Sequence, residues 1–361
     1  MRRLPSPISK NHSISPEMKQ RRIPYFPRIF SVNATTTLKN SMYASRKDKK
    51  DPMLELIGDE NMKLSEHLTD CDSDLRELIL RISEVTKKIA KGFASRQSYS
   101  DTKNVYDEQQ MAMDKWADEV IIKDLKGSGI VRYLASEEQP EVLEFKDAAG
   151  NLGVTLDPLD GSSLIDVNLA VGTIVGIYRG NVLSPGNQMV GAMYVLYGPL
   201  TVLTYTVKKG VHEFVLNDDG EFVTLKENIT IPDGKIYAPG ALRKEYLPFH
   251  TKFIEKLEAD GYKLRFSGSF VADVHQILHK GGVFTYPGFT GKESGKLRLL
   301  FEANPMGFIV TQAGGAASDG RKDVLSIRPS AVSQRTPVYI GGRKEIDLIQ
   351  KYSAEASNTE D

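Results

Sequence analysis

One cysteine, Cys71, is all that the 361 residues contain. An intramolecular disulfide, a cysteine-based zinc site and an internal dithiol switch are therefore excluded. Histidine is scarce as well: His12, His67, His212, His250, His275 and His279. His275 and His279 stand four apart but lack the HExxH pattern, and they are read as polar positions on a helix. Net charge is also missing, since 47 Lys and Arg balance 47 Asp and Glu. The field of the whole protein thus calls for neither nucleic acid nor an acidic membrane, and an anionic substrate must be held by local cations. No apolar run reaches the ~18–20 residues of a membrane span.

Acids are nearly absent from the first 50 residues, where only Glu17 and Asp48 stand among many Lys, Arg and Ser. Residues 1–52 thus resemble an organelle transit peptide, which would place the protein in a plastid. A basic tail, or a start at Met18, Met42 or Met53, fits the same composition. The expected organisation is a basic extension over 1–60, a lobe carrying a metal site over 61–235, a substrate-binding lobe over 236–355 and a tail over 356–361.

In the remainder, Leu75, Leu78, Ile79, Ile82, Val85, Ile89 and Phe93 recur at three- and four-residue steps. The spacing predicts a helix over 74–94 with Ser73 as its cap. A second helix is expected over 109–125, with Met113, Trp116, Val120 and Ile121 inward. Strands are expected at 131–136, 153–156 and 170–178. A run of short antiparallel strands at 188–196, 200–207, 210–216 and 221–225 follows. Helices at 248–259 and 271–279, a strand at 282–286, a helix at 296–301 or from Pro305, and strands at 324–327 and 338–340 complete a layered mixture of helix and sheet.

Two acidic pairs follow two of these strands: Glu137-Glu138 and Asp157/Asp160. Acids gathered at strand ends are costly unless a cation neutralises them. Magnesium takes oxygen ligands and keeps waters that a phosphate can replace, and a pair of such ions can activate a water against a phosphate ester. In Asp157-Pro158-Leu159-Asp160, two carboxylates and the Leu159 carbonyl can converge on metal. Gly161-Ser162-Ser163 then offers backbone and hydroxyl donors for phosphate oxygens. A solvated turn with a helix cap is the plainer reading of Asp-Gly-Ser alone. An EF-hand is excluded by the spacing of the acids.

Ala135-Ser136-Glu137-Glu138, Asp157 to Ser163 and Val171 to Tyr178, followed by Arg265 to His275 and Lys296 to Met306, resemble the class I fructose-1,6-bisphosphatases. The likeness runs in order over about residues 65–352. The carboxylate motifs are shared with the wider lithium-sensitive sugar phosphatase superfamily, whereas the Lys296–Pro305 stretch is characteristic of the bisphosphatases. The resemblance implies an α/β (α+β layered) fold of α-β-α-β-α layers and a homotetramer in the cytoplasm serving gluconeogenesis. It implies magnesium, two or more ions per site, on Glu137, Glu138, Asp157, Leu159, Asp160 and Glu302. Asp114 would assist Glu138 in activating the attacking water, and Glu108 matches a further loop acid, with Asp107 as its alternative. Ser162 and Ser163, with Asp160 and Gly161 beside them, would hold the phosphate that is cleaved. Lys296, Tyr286 and Arg265 would hold the distal one, Arg265 from a second subunit.

Gly240, Arg243, Phe266 and Leu164 depart from the family's Asn, Tyr, Tyr and Asn. Arg243 is expected to replace lost hydrogen bonds to the distal phosphate by charge. These changes leave sedoheptulose 1,7-bisphosphate as an alternative to fructose 1,6-bisphosphate. The AMP motif is not recognisable in Thr69–Asp74 or Asn151-Leu152, so weak or no AMP inhibition is expected. An inositol monophosphatase-like activity and a catalytically inactive, metabolite-binding relative are the competing readings. The intact carboxylate set argues against the last.

Overall fold

The structure is a computed structural model, and it describes residues 62–93, 99–103 and 109–358. Among these, no helix is long and apolar enough to cross a membrane. The first element is a single helical turn, α1 (Leu64–His67). The long helix α2 (Ser73–Gly92) follows and buries the stripe that its sequence spacing anticipates. Its cap is Asp72, not Ser73: the Asp72 carboxylate accepts from the N–H groups of Asp74 and Leu75, at 3.2 and 3.4 Å. The shorter Ser73 hydroxyl instead reaches the Asp74 carboxylate. Strands β1 (Tyr99–Lys103) and β2 (Gln109–Met111) pair antiparallel, so the next helix, α3 (Ala112–Ser128), begins three residues later than expected.

An eight-stranded sheet comes next. It comprises β3 (Val131–Ser136), β4 (Leu143–Glu144), β5 (Leu152–Asp160), β6 (Val171–Arg179), β7 (Gly191–Tyr197), β8 (Thr201–Thr206), β9 (His212–Leu216) and β10 (Phe222–Lys226), in the order β10-β9-β8-β7-β6-β5-β3-β4. Only β3 and β5 run parallel. The run β7 to β10 is the antiparallel meander that its Gly, Pro and Asn-Asp punctuation predicts. Both faces of β5, β6 and β7 are buried, so β6 and β7 read as near-continuous apolar runs, whereas β5 also buries Thr155, Asp157 and Asp160.

A second sheet is ordered β12-β11-β13-β17-β15, from β11 (Ile236–Pro239), β12 (Lys263–Leu264), β13 (Val283–Tyr286), β15 (Ala316–Ser318) and β17 (Val338–Gly341). Helices α2 and α3 cover one face of the first sheet around Leu78, Ile82, Ile121 and Phe214. Helices α5 (Phe270–Lys280) and α6 (Asn304–Gln312) lie between the two sheets, around Ile174, Val274, Met306 and Phe284. Helices α4 (Pro248–Ala259) and α7 (Arg343–Ser357) close the far face over Phe253, Tyr339 and Ile349. The result is five layers, α-β-α-β-α, as the sequence led us to expect.

Three local readings are corrected. Residues 324–327 are not a strand but a helical turn, Val324–Ser326, capped by Asp323. A four-residue segment with three apolar residues, Val324, Leu325 and Ile327, cannot tell these apart. Of the two helix positions expected here, the start near Pro305 holds, since α6 begins at Asn304, whereas the segment after Lys296 is a two-residue strand, β14 (Leu297–Arg298), paired with β16 (Arg335–Thr336). A π-helical turn (Leu299–Ala303) then leads into α6. Helix α7 had no counterpart in the sequence reading, because its buried side is only Glu345, Ile346, Ile349 and Ser353. Two of those four are polar, and Tyr262 donates to the buried Glu345 carboxylate.

Candidate active site

Strand β5 carries the centre of the site. In a regular strand, residues three apart point to opposite faces. Here Asp157 pairs with Ile174 while Asp160 pairs with Gly172, so β5 holds one residue more than β6 between those points. This is a β-bulge, and it falls on Pro158-Leu159, where proline has no N–H to give to the ladder. The slip turns both aspartates to one side. Glu302, from the π-turn before α6, joins them: one carboxylate oxygen from each of Asp157, Asp160 and Glu302 lies within 4.8 Å of the others, and all three residues are buried. Glu137 and Glu138 leave the end of the neighbouring β3, with Glu137 N–H donating to Leu156 carbonyl at 3.0 Å.

Each acid has a visible support. Asp157 accepts from Leu159 N–H at 3.0 Å. Asp160 accepts from Ser269 Oγ at 3.1 Å and from Val271 N–H at 2.8 Å, both at the start of α5. Glu302 accepts from Arg298 N–H, and the buried Arg298 guanidinium stands 3.4 Å from Glu137. Burial, with Glu137 and its neighbours adding repulsion, holds Asp157 and Glu302 well above the usual carboxylate range. Burial likewise pushes Asp160 up to about 7. So many acids out of water need more positive charge than Arg298 supplies.

Beyond the acids, Gly161 turns the chain with φ +78°, a conformation that favours glycine, and a Cβ there would stand 3.0 Å from Ser269. Ser162 and Ser163 then open a short 3-10 helix. A cavity of about 320 Å³ is lined by Asp114, Glu137, Glu138, Asp157, Leu159, Asp160, Gly161, Ser162, Ser163 and Glu302, and also by Phe266, Tyr286 and Lys296. The Lys296 ammonium lies 5.8 Å from the centre of the Tyr286 ring. Gly240 packs against that ring, and a Cβ on it would come within 2.2 Å of Tyr286 Cδ2. The glycine that departs from the family's Asn therefore gives the ring its place.

Two expected residues are not brought to this cavity within one chain. Arg243 is exposed and turns to α4, 3.2 Å from Glu258 and 3.7 Å from Glu255. In this structure Arg243 thus pairs with surface acids and does not line the cavity in which it was expected to meet the distal phosphate. Arg265 is exposed and absent from the lining, with Leu264 and Phe266 exposed at its sides. Glu108 and Asp107 lie outside the described residues.

Sequence reasoning passed over three residues. Arg298 lies within the Lys296–Met306 stretch, but the motif alone assigns it no role. Arg335 lines the cavity and donates to the Lys296 carbonyl; nothing marked it, because β16 pairs with β14 only in the folded chain. Asp118 on α3 accepts from Ser136 Oγ and Gln139 Nε2, both at 2.6 Å, and so braces the turn that presents Glu137 and Glu138. Its place one helical turn after Asp114 was the available signal.

Comparison with known proteins agrees with this geometry. Residues 55–227 match the N-terminal domain, and residues 231–354 the C-terminal domain, of fructose-1-6-bisphosphatase. The class 1 fructose-1,6-bisphosphatase of Methanospirillum hungatei is 50% identical over 283 residues, covering 78% of this chain and 91% of that protein. That of Geobacter sulfurreducens is 48% identical over 288 residues, covering 78% and 92%. The crystal structure of Leishmania major fructose-1,6-bisphosphatase in holo form superposes with a TM-score of 0.77 at 31% identity, covering 82% of this chain and 99% of that one. With both domains matched in order and half the residues shared with relatives over nine-tenths of their length, the chain belongs to the fructose-1,6-bisphosphatase family.

Proposed function

We propose that the chain hydrolyses the 1-phosphate of fructose 1,6-bisphosphate, giving fructose 6-phosphate and phosphate, with magnesium as its metal, as a cytoplasmic enzyme of gluconeogenesis. One observation carries the reading. A buried all-oxygen cluster and the Ser162-Ser163 turn share a single cavity with Lys296 and Tyr286, so one cavity offers separate places for two phosphates. The donor chemistry suits a hard divalent cation, and the raised carboxylates are what such a cation would relieve. Glu137, Glu138, Asp157, the Leu159 carbonyl, Asp160 and Glu302 would hold two or more ions. When bound, these supply charge neutralisation and make a water more acidic.

The chain's own residues do the rest. Glu138, with Asp114 beside it in the cavity lining, takes the proton of the attacking water. The donors of Gly161, Ser162 and Ser163 hold the reacting phosphate as its charge spreads. Lys296 and Tyr286 hold the distal phosphate. Arg265 completes that pocket from a second copy of the chain in a tetramer, a reading supported by the exposed Leu264 and Phe266 that flank it. Glu108 keeps its role as a loop acid assisting the water.

The test is phosphate release in magnesium from fructose 1,6-bisphosphate, sedoheptulose 1,7-bisphosphate and inositol phosphate. Fructose 1,6-bisphosphate is expected to have the highest kcat/KM. A higher value for sedoheptulose 1,7-bisphosphate reassigns the sugar. Release from inositol phosphate alone, or from none, rejects the reading.

Inhibition by AMP is expected to be weak or absent. Asp72 caps α2 and also holds Arg179 at 2.9 Å, so a carboxylate already occupies the helix start and pairs with that arginine. A rate unchanged by micromolar AMP is the expected titration, and half-inhibition in that range contradicts it.

A further inference from the structure

His67, His212 and Glu227 lie apart in sequence, yet a donor atom from each falls within 4.8 Å of the others. None of them lines the catalytic cavity. His67 ends α1, His212 begins β9, and Glu227 follows β10. The imidazole rings stand 4.4 Å apart between centroids.

The hydrogen bonds around the rings decide what the cluster can do. His212 Nε2 lies 2.8 Å from the Lys209 carbonyl, which only accepts, so Nε2 carries the proton. In the neutral ring the lone pair is then on Nδ1. That atom is buried without a hydrogen-bond partner among the described residues, in a side chain only 7% exposed. His67 is arranged in the mirror sense. Its Nδ1 contacts the Tyr205 hydroxyl at 2.5 Å, and its Nε2 faces the Glu227 carboxylate at 2.9 Å. His212 thus has one nitrogen backed by a carbonyl and one aimed without a partner, while the two His67 nitrogens face the Tyr205 hydroxyl on one side and the cluster's own Glu227 carboxylate on the other. A ligating histidine usually has this arrangement, its second N–H being held by a carbonyl or another oxygen.

We propose that His67 Nε2, His212 Nδ1 and a Glu227 oxygen form a second metal site, which takes a divalent transition ion of the zinc class. Two imidazoles and one carboxylate suit such an ion better than magnesium. Zinc bonds of ~2.0–2.2 Å need donor atoms roughly 3.3–3.5 Å apart in a tetrahedron, so the His67–Glu227 pair opens by a few tenths of an ångström. Binding moves the His67 proton to Nδ1, where the Tyr205 oxygen accepts it. Glu227, with 46% of its side chain exposed, lies on the solvent side, which leaves a path for entry and room for a water ligand. The ion would tie α1 and the end of β10 to β9. The other histidine cluster makes the contrast clear: His279 Nε2 holds Glu213 at 2.8 Å, His275 Nδ1 holds Tyr194 at 2.8 Å, and Thr204 donates to Glu213. In that cluster the carboxylate already accepts from Thr204 as well as facing His279, and no buried ring nitrogen is left without a hydrogen-bond partner among the described residues.

The site is tested with zinc ion alone, titrated into the metal-stripped full chain in excess magnesium, with a chelator reporting affinity and stoichiometry. The expected result is one zinc equivalent that His67→Gln or Glu227→Gln weakens by about 100-fold or more and Tyr205→Phe by about 10-fold. X-ray absorption at the zinc edge should report two imidazoles, and zinc should raise the Tm of the wild type but not of Glu227→Gln. Glu227 is exposed, so its variant folds. Unchanged zinc stoichiometry and affinity in Glu227→Gln, or a spectrum with oxygen ligands only, overturns the proposal. The result does not depend on phosphatase activity and so stands apart from the catalytic reading.

Discussion

Replacing Asp160 by asparagine is expected to lower magnesium-dependent phosphate release by about 10³-fold or more while leaving the fold intact. The side chain is nearly isosteric, and the amide oxygen can still accept from Ser269 Oγ and Val271 N–H, which seat Asp160 at the head of α5. What is lost is the charge. Asp160 belongs to the three-carboxylate cluster, so the exchange removes one of the three negative charges gathered there. Circular dichroism and Tm in the absence of metal should be close to wild type or improved, because a neutral group removes repulsion from Glu137 and Asp273. Alanine at the same position should abolish activity as well. Turnover within about tenfold of wild type at saturating magnesium would sink the metal assignment.

Replacing Arg298 by methionine should produce the largest loss of stability, about 3–5 kcal/mol in metal-free protein. Arg298 is only 2% exposed and is the cation facing Glu137, while its backbone N–H holds Glu302. Methionine fills most of the space but leaves the acids without their cation. The pH dependence follows from the raised carboxylates. A group whose folded pKa is raised contributes stability that is fully present below its unfolded value and lost as pH rises through the folded one. For Asp160 that window runs from its ordinary 3.8 to about 7, with Asp157 and Glu302 shifted the same way. Metal-free protein should therefore be less stable at pH 8 than at pH 5, the deficit of Arg298→Met should be larger at pH 8, and magnesium should recover part of it. Urea unfolding at the two pH values, with and without magnesium, measures all three. A deficit independent of pH and metal would mean that Arg298 acts only by packing.

Much of this protein is legible before folding. The stripe from Leu75 to Ile89 specifies α2, because a period near 3.6 has only one buried solution. The alternation and punctuation from Gln188 to Leu225 specify a meander. The Asp157–Ser163 run specifies that acids and phosphate donors meet, since ligand and cradle are contiguous in the chain. Helix α7 escaped because half of its buried side is polar, and the turn at Val324 because a segment of four residues is too short to carry a period.

The sequence by itself determined the chemistry of this protein: which carboxylates are available, that serine donors follow them directly, and that no intramolecular disulfide forms. Tertiary structure decided where that chemistry is supported and what else the chain can bind. The bulge at Pro158 turns Asp157 and Asp160 to one side, Asp118 braces Glu137 and Glu138 from α3, and Gly240 seats Tyr286. Arg243 is drawn away to α4, and His67, His212 and Glu227 meet from three separate elements. The physical reason is the same in each case. A contiguous motif lists its atoms in order, whereas distances between strands, helices and turns arise only when buried surfaces pack, and packing is a property of the whole chain.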